Sequence, residues 1–208
     1  MSVINMSNYI IKTFSSFCIF NYLDYQFKKY TTPEIAQAIN CLNYSLILGT
    51  VSTLHYFNCI NQNTFLNILP ICVGGTLCDT LIILKQKKHY EMLLHHFILL
   101  TSYGINLSTN DINTHMFFSQ VYLCEWSNIF LNTSYILLKK NLTNNNIFKY
   151  SNIGLIATYF PLRIVNFTYL QYKTYQSNKF LVFYLLGTPT VLLNYYWFYK
   201  LLKKGNII

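Results

Sequence analysis

Charged residues are scarce in this chain. Only 10% of its 208 residues are Asp, Glu, Lys or Arg, and the acidic ones number just 6. A soluble domain carries about 25% charged residues, so the shortage argues against a water-soluble protein. Hydrophobic residues instead make up 53% of the chain and aromatic residues 18%. The composition therefore predicts an all-α fold, a polytopic bundle of transmembrane helices.

Several signatures of nucleotide and cofactor chemistry are also absent. The chain has no G-x-x-x-x-G-K-[ST] phosphate-binding loop, no G-x-G-x-x-G turn and no G-x-S-x-G nucleophile elbow. Nucleotide-driven transport and a Rossmann cofactor are therefore excluded. Six cysteines form no C-x-x-C pair and lie mostly in or beside apolar runs, which is typical of small buried side chains. No removable signal peptide is expected at the N-terminus.

Long apolar runs recur from one end of the chain to the other and by themselves indicate one domain. Each is close to the roughly 20 residues that a helix needs to cross a ~30 Å hydrocarbon core. Lys12, Asn21 and Asp24 interrupt the first run, so six spans preceded by an interfacial helix are the alternative to seven. The seven predicted spans are 8–27, 41–60, 65–84, 89–107, 113–138, 150–172 and 180–202.

Lysines between these runs account for the formal net charge of +9, so no nucleic acid partner is expected. Basic clusters fill every second connection, as the positive-inside rule requires of cytosolic loops. The intervening connections hold Asn61-Gln62-Asn63 and Asp111, and the loop with Lys173 and Lys179 is a partial exception. This alternation predicts a cytosolic C-terminus and, with seven spans, a lumenal or external N-terminus. The basic clusters are Lys28 and Lys29; Lys85, Lys87 and Lys88; Lys139, Lys140 and Lys149; and Lys200, Lys203 and Lys204.

Two adjacent histidines, His95 and His96, lie in the fourth predicted span. An ionisable side chain at membrane depth usually faces a protein interior, a cavity or a partner. Packing rarely needs two neighbouring imidazoles, which point about 100° apart on a helix. The pair suits general acid–base catalysis or nucleophilic acyl transfer through an acyl-imidazole. Metal binding is not favoured, because adjacent residues on one helix do not easily reach one ion and no H-x-x-x-H spacing is present.

Other predicted spans also carry polar side chains. The i, i+3, i+7 spacing of Glu125, Asn128 and Asn132 puts all three on one face of the fifth span. The simplest account is a bundle with a polar interior, in which Arg163 is neutralised by Glu125 or Asp79. The alternative is that these groups only join helices, each bond contributing about 0.6 to 2 kcal/mol. Similar inward-facing candidates in other spans are His55, Asp79, Arg163, Asn166 and Asn194.

Six short elements occur in order along most of the chain. They are Ser52-Thr53-Leu54-His55, Gly75-Thr76-Leu77-Cys78-Asp79, Leu94-His95-His96, Glu125-Trp126-Ser127-Asn128-Ile129-Phe130-Leu131-Asn132, Phe160-Pro161-Leu162-Arg163 and Leu193-Asn194-Tyr195-Tyr196-Trp197. Together they resemble the TLC (TRAM-LAG-CLN homology) domain family, and especially its small TLC-domain-containing branch rather than the ceramide synthases.

The resemblance implies a six-helix TLC domain over residues 41–204, with an N-terminal helix and a cytosolic connection over residues 1–40. It implies the endoplasmic reticulum or a related endomembrane, lipid as the ligand and no cofactor. In ceramide synthases the paired histidines work with an H-D-x-x-D element in fatty acyl transfer to a sphingoid amine. Here Glu125 and Asn128 stand roughly where those aspartates are expected, so the chain departs from that pattern.

Three functional hypotheses follow. The leading one is a membrane protein that binds or remodels lipid in an intramembrane cavity, with acyl-CoA as the donor if the reaction is acyl transfer. A non-enzymatic lipid sensor, trafficking factor or regulator of membrane composition is the competing class, and a purely structural protein is the third. The candidate catalytic residues are His95, His96 and Glu125; the candidate binding residues are His55, Asp79, Asn128, Asn132, Arg163, Asn166 and Asn194.

Overall fold

A computed structural model describes residues 6–86, 90–177 and 181–204, and within these ranges the chain forms helices and no strand. Thr32 shows how one helix begins: its hydroxyl accepts a hydrogen bond from the Ile35 N–H, and Pro33 occupies the first turn. The helices are α1 (Met6–Lys28), α2 (Pro33–Tyr56), α3 (Gln62–Gln86), α4 (Tyr90–Ser108), α5 (Ile112–Tyr122), α6 (Glu125–Lys139), α7 (Asn146–Tyr159), a π-helical segment (Phe160–Val165), α8 (Asn166–Ser177) and α9 (Leu181–Lys204).

The helices pack as a ring, and one further helix lies outside it. Counting α5 with α6, and α7 with the π-helical segment and α8, the ring has six members: α2, α3, α4, α9, α7–α8 and α5–α6. Each contacts the next, and the last returns to α2. Helix α1 lies outside this ring, against α2 and α3. A six-helix core preceded by one helix is the arrangement that the sequence resemblance implies.

The fifth predicted span, 113–138, is not one helix. It is interrupted at Leu123 and Cys124, between α5 and α6. Here each backbone N–H bonds the carbonyl three residues back, from Trp126 N–H to the Leu123 carbonyl (3.3 Å) and from Ser127 N–H to the Cys124 carbonyl (3.1 Å). The Ser127 hydroxyl also donates to the Cys124 carbonyl at 2.7 Å. Such local side-chain bonds compete with the regular helical pattern, and this one lies directly before the candidate site residues of α6.

The sixth predicted span is widened at Pro161. Proline has no N–H for the helical ladder, and the Asn166 N–H bonds the Pro161 carbonyl five residues back, which is the π-helical pattern. Arg163 and Ile164 are the buried residues of this segment. Such π-helical turns are frequent at functional sites.

Helix α1 approaches α3 closely at Gly74. A Cβ atom added there would lie 2.6 Å from the backbone nitrogen of Phe17 and 2.8 Å from the Thr13 carbonyl oxygen. Only glycine permits this approach. By contrast, a Cβ added at Gly104 on α4 would meet nothing within 4 Å.

Two helical stretches in the described part of the chain are long and apolar enough to cross a membrane, Gln62–Gln86 and Asn146–Gln176. Lys87, Lys88 and Lys179, which entered the topology prediction, lie outside the described residues, as do the predicted span ends His89 and Phe180.

Candidate functional site

The two adjacent histidines have different surroundings. His96 on α4 is 2% exposed and is held on both sides of its ring. Its Nδ1 lies 3.0 Å from the Thr80 hydroxyl, and its Nε2 lies 3.2 Å from Asp79 Oδ2. Because Thr80 donates its own hydrogen to the Thr76 carbonyl at 2.6 Å, Thr80 accepts from His96 Nδ1. His96 Nε2 then faces the Asp79 carboxyl group.

Asp79 is itself fixed by α2. Gln37 donates to Asp79 Oδ1 at 2.5 Å, while the Cys41 thiol (3.4 Å) and the Tyr44 hydroxyl (3.5 Å) approach Asp79 Oδ2. The Gln86 side-chain amide in turn donates to the side-chain oxygen of Gln37, Oε1, at 3.2 Å. The imidazole of His96 therefore has a rigid support from α2 and α3.

His95 has no comparable support. Its ring packs edge-on against Trp197 of α9, with centroids 5.4 Å apart, and lies 5.9 Å from the ring of His96. Within the described residues, neither ring nitrogen of His95 has a hydrogen-bond partner. A neutral imidazole in this state keeps one lone pair and one N–H available to another molecule.

Two cavities meet at His95. The first, of about 70 Å³, is lined mainly by apolar side chains, among them Ile98, Phe118, Leu170 and Leu186. The second, of about 260 Å³, is lined by apolar side chains together with charged and amide side chains, and we call it the polar cavity. Among the residues that the structure describes, His95 alone lines both. The polar lining of the second cavity includes Asp79, His96, Asn128, Asn132, Arg163 and Lys200.

Arg163 joins three helices around the polar cavity. Its guanidinium donates to Ser127 Oγ (2.6 Å), Asn128 Oδ1 (2.8 Å) and Asn194 Oδ1 (3.1 Å). It also lies over the ring of Tyr159, 5.3 Å from the centroid. These contacts satisfy a charge that is 3% exposed.

The expected direct ion pair between Arg163 and Glu125 or Asp79 was wrong. The described residues place no carboxylate oxygen within 4 Å of its guanidinium. Asn128 lies between the charges instead: its carbonyl accepts from Arg163, and its amide donates to Glu125 Oε2 at 2.8 Å. The physical reason is the π-helical segment, which sets Arg163 opposite Ser127 and Asn128 while Asp79 is occupied by α2 and α4.

Glu125 lies at the start of α6 and is 1% exposed. Its Oε2 accepts from Asn128 and from the Ser45 hydroxyl of α2, the latter at 2.7 Å. Glu125 also lines the apolar cavity beside His95. Among the described residues, it is the carboxylate of that lining, which also holds hydroxyl and amide side chains such as Ser102 and Gln171.

The structure brings most predicted site residues together and leaves two apart. His95, His96, Asp79, Asn128, Asn132 and Arg163 line the polar cavity, and Asn194 reaches it through Arg163. His55 lies elsewhere, with Nδ1 2.6 Å from the Ser119 hydroxyl and its ring stacked on Phe65. Asn166 exchanges hydrogen bonds with Gln120. Neither borders the two cavities.

Gln37, Thr80 and Ser127 are among the site residues that the sequence does not predict. Gln37 precedes the predicted start of the second span at residue 41, so it was not considered an interior residue. Thr80 and Ser127 do lie in predicted spans, beside Asp79 and Glu125. Small hydroxyl residues are common in membrane helices as packing groups, and adjacency to a carboxylate was the one signal available.

The polar groups just described come from the same short elements that suggested a family. The sequence model of the TLC domain matches residues 2–203. The chain belongs to the TLC domain family. This TLC-domain chain is 25% identical to the "Putative TLC domain-containing protein L438" of Acanthamoeba polyphaga mimivirus over 173 residues, covering 77% of this chain and 82% of that protein. No solved structure gives a significant match.

Proposed function

We propose that this TLC-domain protein binds membrane lipid in the two cavities and remodels it by fatty acyl transfer, with His95 as the residue that carries the acyl group. The observation that carries the proposal is the position of His95. It borders both an apolar and a polar cavity, and its nitrogens have no partner within the described residues. An acyl chain and a polar group of one substrate would meet at this imidazole.

The chemistry needs few groups. The lone pair of His95 attacks the carbonyl carbon of an acyl thioester such as acyl-CoA, the C–S bond breaks, and the thiolate leaves. A hydroxyl or amine of the acceptor lipid then attacks the acyl-imidazole, the C–N bond breaks, and His95 is regenerated. Overall, the proton of the acceptor ends on the thiol. No cofactor is required.

The residues around His95 support an apolar cavity for the acyl chain and a polar cavity for the polar group. The apolar cavity has room for a short stretch of hydrocarbon beside His95, while Arg163 and Lys200 give the polar cavity two cations. His96 and Asp79 form a fixed pair 5.9 Å from the His95 ring, measured between ring centroids. We assign them a positioning role, and Glu125 is the candidate base on the apolar side.

The proposed setting is a seven-pass protein of the endoplasmic reticulum or a related endomembrane, with a cytosolic C-terminus. The seven helical units of the fold and the lysine pattern support it. In this orientation Lys200, near the end of α9, puts the polar cavity towards the cytosol, where acyl-CoA is available.

A non-enzymatic lipid sensor or regulator is the second candidate. One observation favours it: both identified hydrogen bonds of Glu125 Oε2 come from inside the protein, from Ser45 and Asn128. A carboxylate that is held by internal hydrogen bonds can shape a lipid-binding cavity without taking part in a reaction. On this account lipid is bound in the cavities but returned unmodified.

Lipid analysis separates the two candidates. The wild-type chain, His95→Gln and Phe97→Ala are purified in mild detergent and incubated with an acyl-CoA mixture. Phe97 is the matched control, because it lies on the same helix but is 63% exposed. Acyl transfer predicts new acylated lipid with wild type and Phe97→Ala and none with His95→Gln. Stoichiometric lipid without conversion would favour the sensor, and equal conversion by His95→Gln would overturn the catalytic assignment.

A further inference from the structure

A further cavity, of about 300 Å³, lies between α5 and α8. We call it the outer pocket. Asn113, Met116 and Gln120 of α5 and Lys173 of α8 line it and do not line the apolar cavity. Asn113 and Lys173 are exposed. The outer pocket therefore opens at the surface of the protein.

The outer pocket adjoins the apolar cavity. Phe117, Leu170 and Thr174 line both, and the apolar cavity continues from these residues to His95. Two of the three shared side chains are large and apolar. A row of adjoining cavities thus leads from the surface between α5 and α8 to the candidate reactive imidazole.

This opening lies at the opposite end of the bundle from Lys200. Lys173 is near the end of α8, at Ser177, and α9 begins directly afterwards at Leu181. Lys200 is near the other end of α9, and a helix of 24 residues is roughly 36 Å long. In the proposed orientation, the outer pocket therefore faces the lumenal or external side, whereas Lys200 is cytosolic.

The charge at the outer pocket is positive. Among the described residues of its lining, Lys173 is a cation and none is a carboxylate. The Lys173 ammonium lies over the ring of Tyr169, 4.8 Å from the centroid. Asp111, close to Asn113 in the chain, is engaged at the start of α5: its carboxylate accepts from the Asn113 N–H at 3.2 Å and from the Thr114 hydroxyl at 2.8 Å.

The lining identifies the class of ligand. A lysine ammonium binds phosphate as a compact point charge, and Lys173 lies in the last turns of an apolar helical stretch that ends at Gln176, the depth at which lipid headgroups lie. A free phosphate would leave the apolar wall of Met116, Phe117 and Leu170 uncovered. An anionic phospholipid complements both parts, with its headgroup on the cation and its hydrocarbon on the apolar wall.

We infer that the outer pocket binds the negatively charged headgroup of a membrane phospholipid at Lys173 and admits the end of one acyl chain, past Phe117 and Leu170, into the apolar cavity. The inference rests on the proposed function only in that the apolar cavity holds lipid, and it requires no acyl transfer. Because that cavity has room for a short stretch of hydrocarbon, the phospholipid and an acyl donor at His95 would compete for it. The outer pocket would thereby regulate the proposed reaction.

Native mass spectrometry in mild detergent tests the headgroup site. Binding of phosphatidylglycerol and of phosphatidylcholine with the same acyl chains is measured without acyl-CoA, so failure of this site and failure of acyl transfer at His95 give separate results. We expect the wild-type chain to bind phosphatidylglycerol about fivefold more tightly, and Lys173→Gln to lose most of this preference. No preference in wild type, or the full preference in Lys173→Gln, would overturn the inference.

Lys139→Gln is the matched control. Lys139 is also exposed and lies over a tyrosine ring, 5.6 Å from the centroid of Tyr135, but it lines neither the outer pocket nor the apolar cavity. This variant should keep the preference for phosphatidylglycerol. An equal loss in Lys139→Gln and Lys173→Gln would mean that net charge, and not the outer pocket, selects the lipid.

Photocrosslinking tests where the acyl chain lies. The wild-type chain is reconstituted with phosphatidylglycerol that carries a diazirine at the end of one acyl chain, irradiated and mapped by peptide mass spectrometry. We expect adducts on Val121 and Leu186, which line the apolar cavity and not the outer pocket. Adducts confined to exposed side chains, such as Tyr172 (57%) and Leu192 (64%), would overturn entry of the chain into the apolar cavity.

Discussion

The surroundings of His96 and of His95 differ, although the two residues are adjacent on α4. Around the cavity, hydrogen bonds satisfy one side chain after another, as with the three acceptors of Arg163. His95 has no hydrogen-bond partner among the described residues, and it faces both cavities. His96, by contrast, is held on both sides of its ring, by Thr80 and by Asp79. The imidazole without a partner is therefore the candidate reactive residue, and the fixed imidazole has the positioning role.

The largest expected effect comes from removing Arg163. The Arg163→Met variant leaves Ser127, Asn128 and Asn194 without their buried donor, and we expect a loss of about 3 kcal/mol in the free energy of unfolding. Denaturant unfolding in detergent measures it. The control Lys173→Ala removes an exposed cation of α8 and should change stability by less than about 0.5 kcal/mol. A similarly small loss of unfolding free energy for Arg163→Met would mean that the three hydrogen bonds of Arg163 do not stabilise the fold.

A change on the side of α3 that faces α1 should lower stability and leave lipid binding intact. Gly74→Ala introduces a Cβ against the α1 backbone, and separating α1 from α3 should cost about 1 to 3 kcal/mol. Gly104→Ala is the matched control, because its Cβ meets nothing within 4 Å; the gain in helix propensity should stabilise the protein by about 0.5 to 1 kcal/mol. Thermal unfolding of both variants tests the packing of α1. Equal melting temperatures would contradict it.

The Asp79→Asn variant tests the contact between Asp79 and His96 Nε2. An asparagine oxygen can still accept from Gln37, and its amide can donate to His96 Nε2, so the loss of stability should be about 1 kcal/mol. His96 should then be neutral, with its hydrogen on Nδ1. Histidine ¹⁵N chemical shifts report this change. Unchanged shifts at His96 would contradict this contact.

Asp111 provides the smallest effect. It is the N-cap of α5 and accepts from Asn113 and Thr114 N–H groups. The hydrogen bond from the Thr114 hydroxyl is the main reason that its pKa lies below the ordinary value of 3.8. A lowered pKa means that the ionised cap stabilises the folded state at and above neutral pH, and that this stabilisation declines as pH falls below about 4. The melting-temperature difference between wild type and Asp111→Asn should shrink over that range. A constant difference would exclude capping by the carboxylate.

Much of the fold could be predicted from the sequence, because apolar length and loop lysines are strong signals in membrane proteins. The interruption at Leu123 and Cys124 could not, since no proline or glycine marks it. The π-helical segment had a visible cause in Pro161, but its effect on Arg163 depends on which neighbours surround it. Helical periodicity predicts which residues share one face of a helix. It does not predict which residues of another helix that face contacts.

The candidate site was predictable in its residue types and less so in its pairings. His95 and His96 are adjacent in the chain, and nothing in their spacing distinguishes the fixed imidazole from the one that faces the cavities. That difference arises because Thr80 and Asp79 of α3 reach one ring and Trp197 of α9 the other. His55 and Asn166, which also looked like interior polar residues, bond to α5 instead.

Mapping an acyl adduct tests the different roles of His95 and His96 most directly. The wild-type chain is exposed to acyl-CoA without an added acceptor lipid, quenched rapidly and examined by intact mass and peptide sequencing. We predict a mass increase of one acyl chain on His95, absent in His95→Gln and retained in Phe97→Ala. An adduct on His96 or on a cysteine, or no adduct under conditions where wild type turns over acyl-CoA, would contradict the assignment of His95 as the acyl carrier.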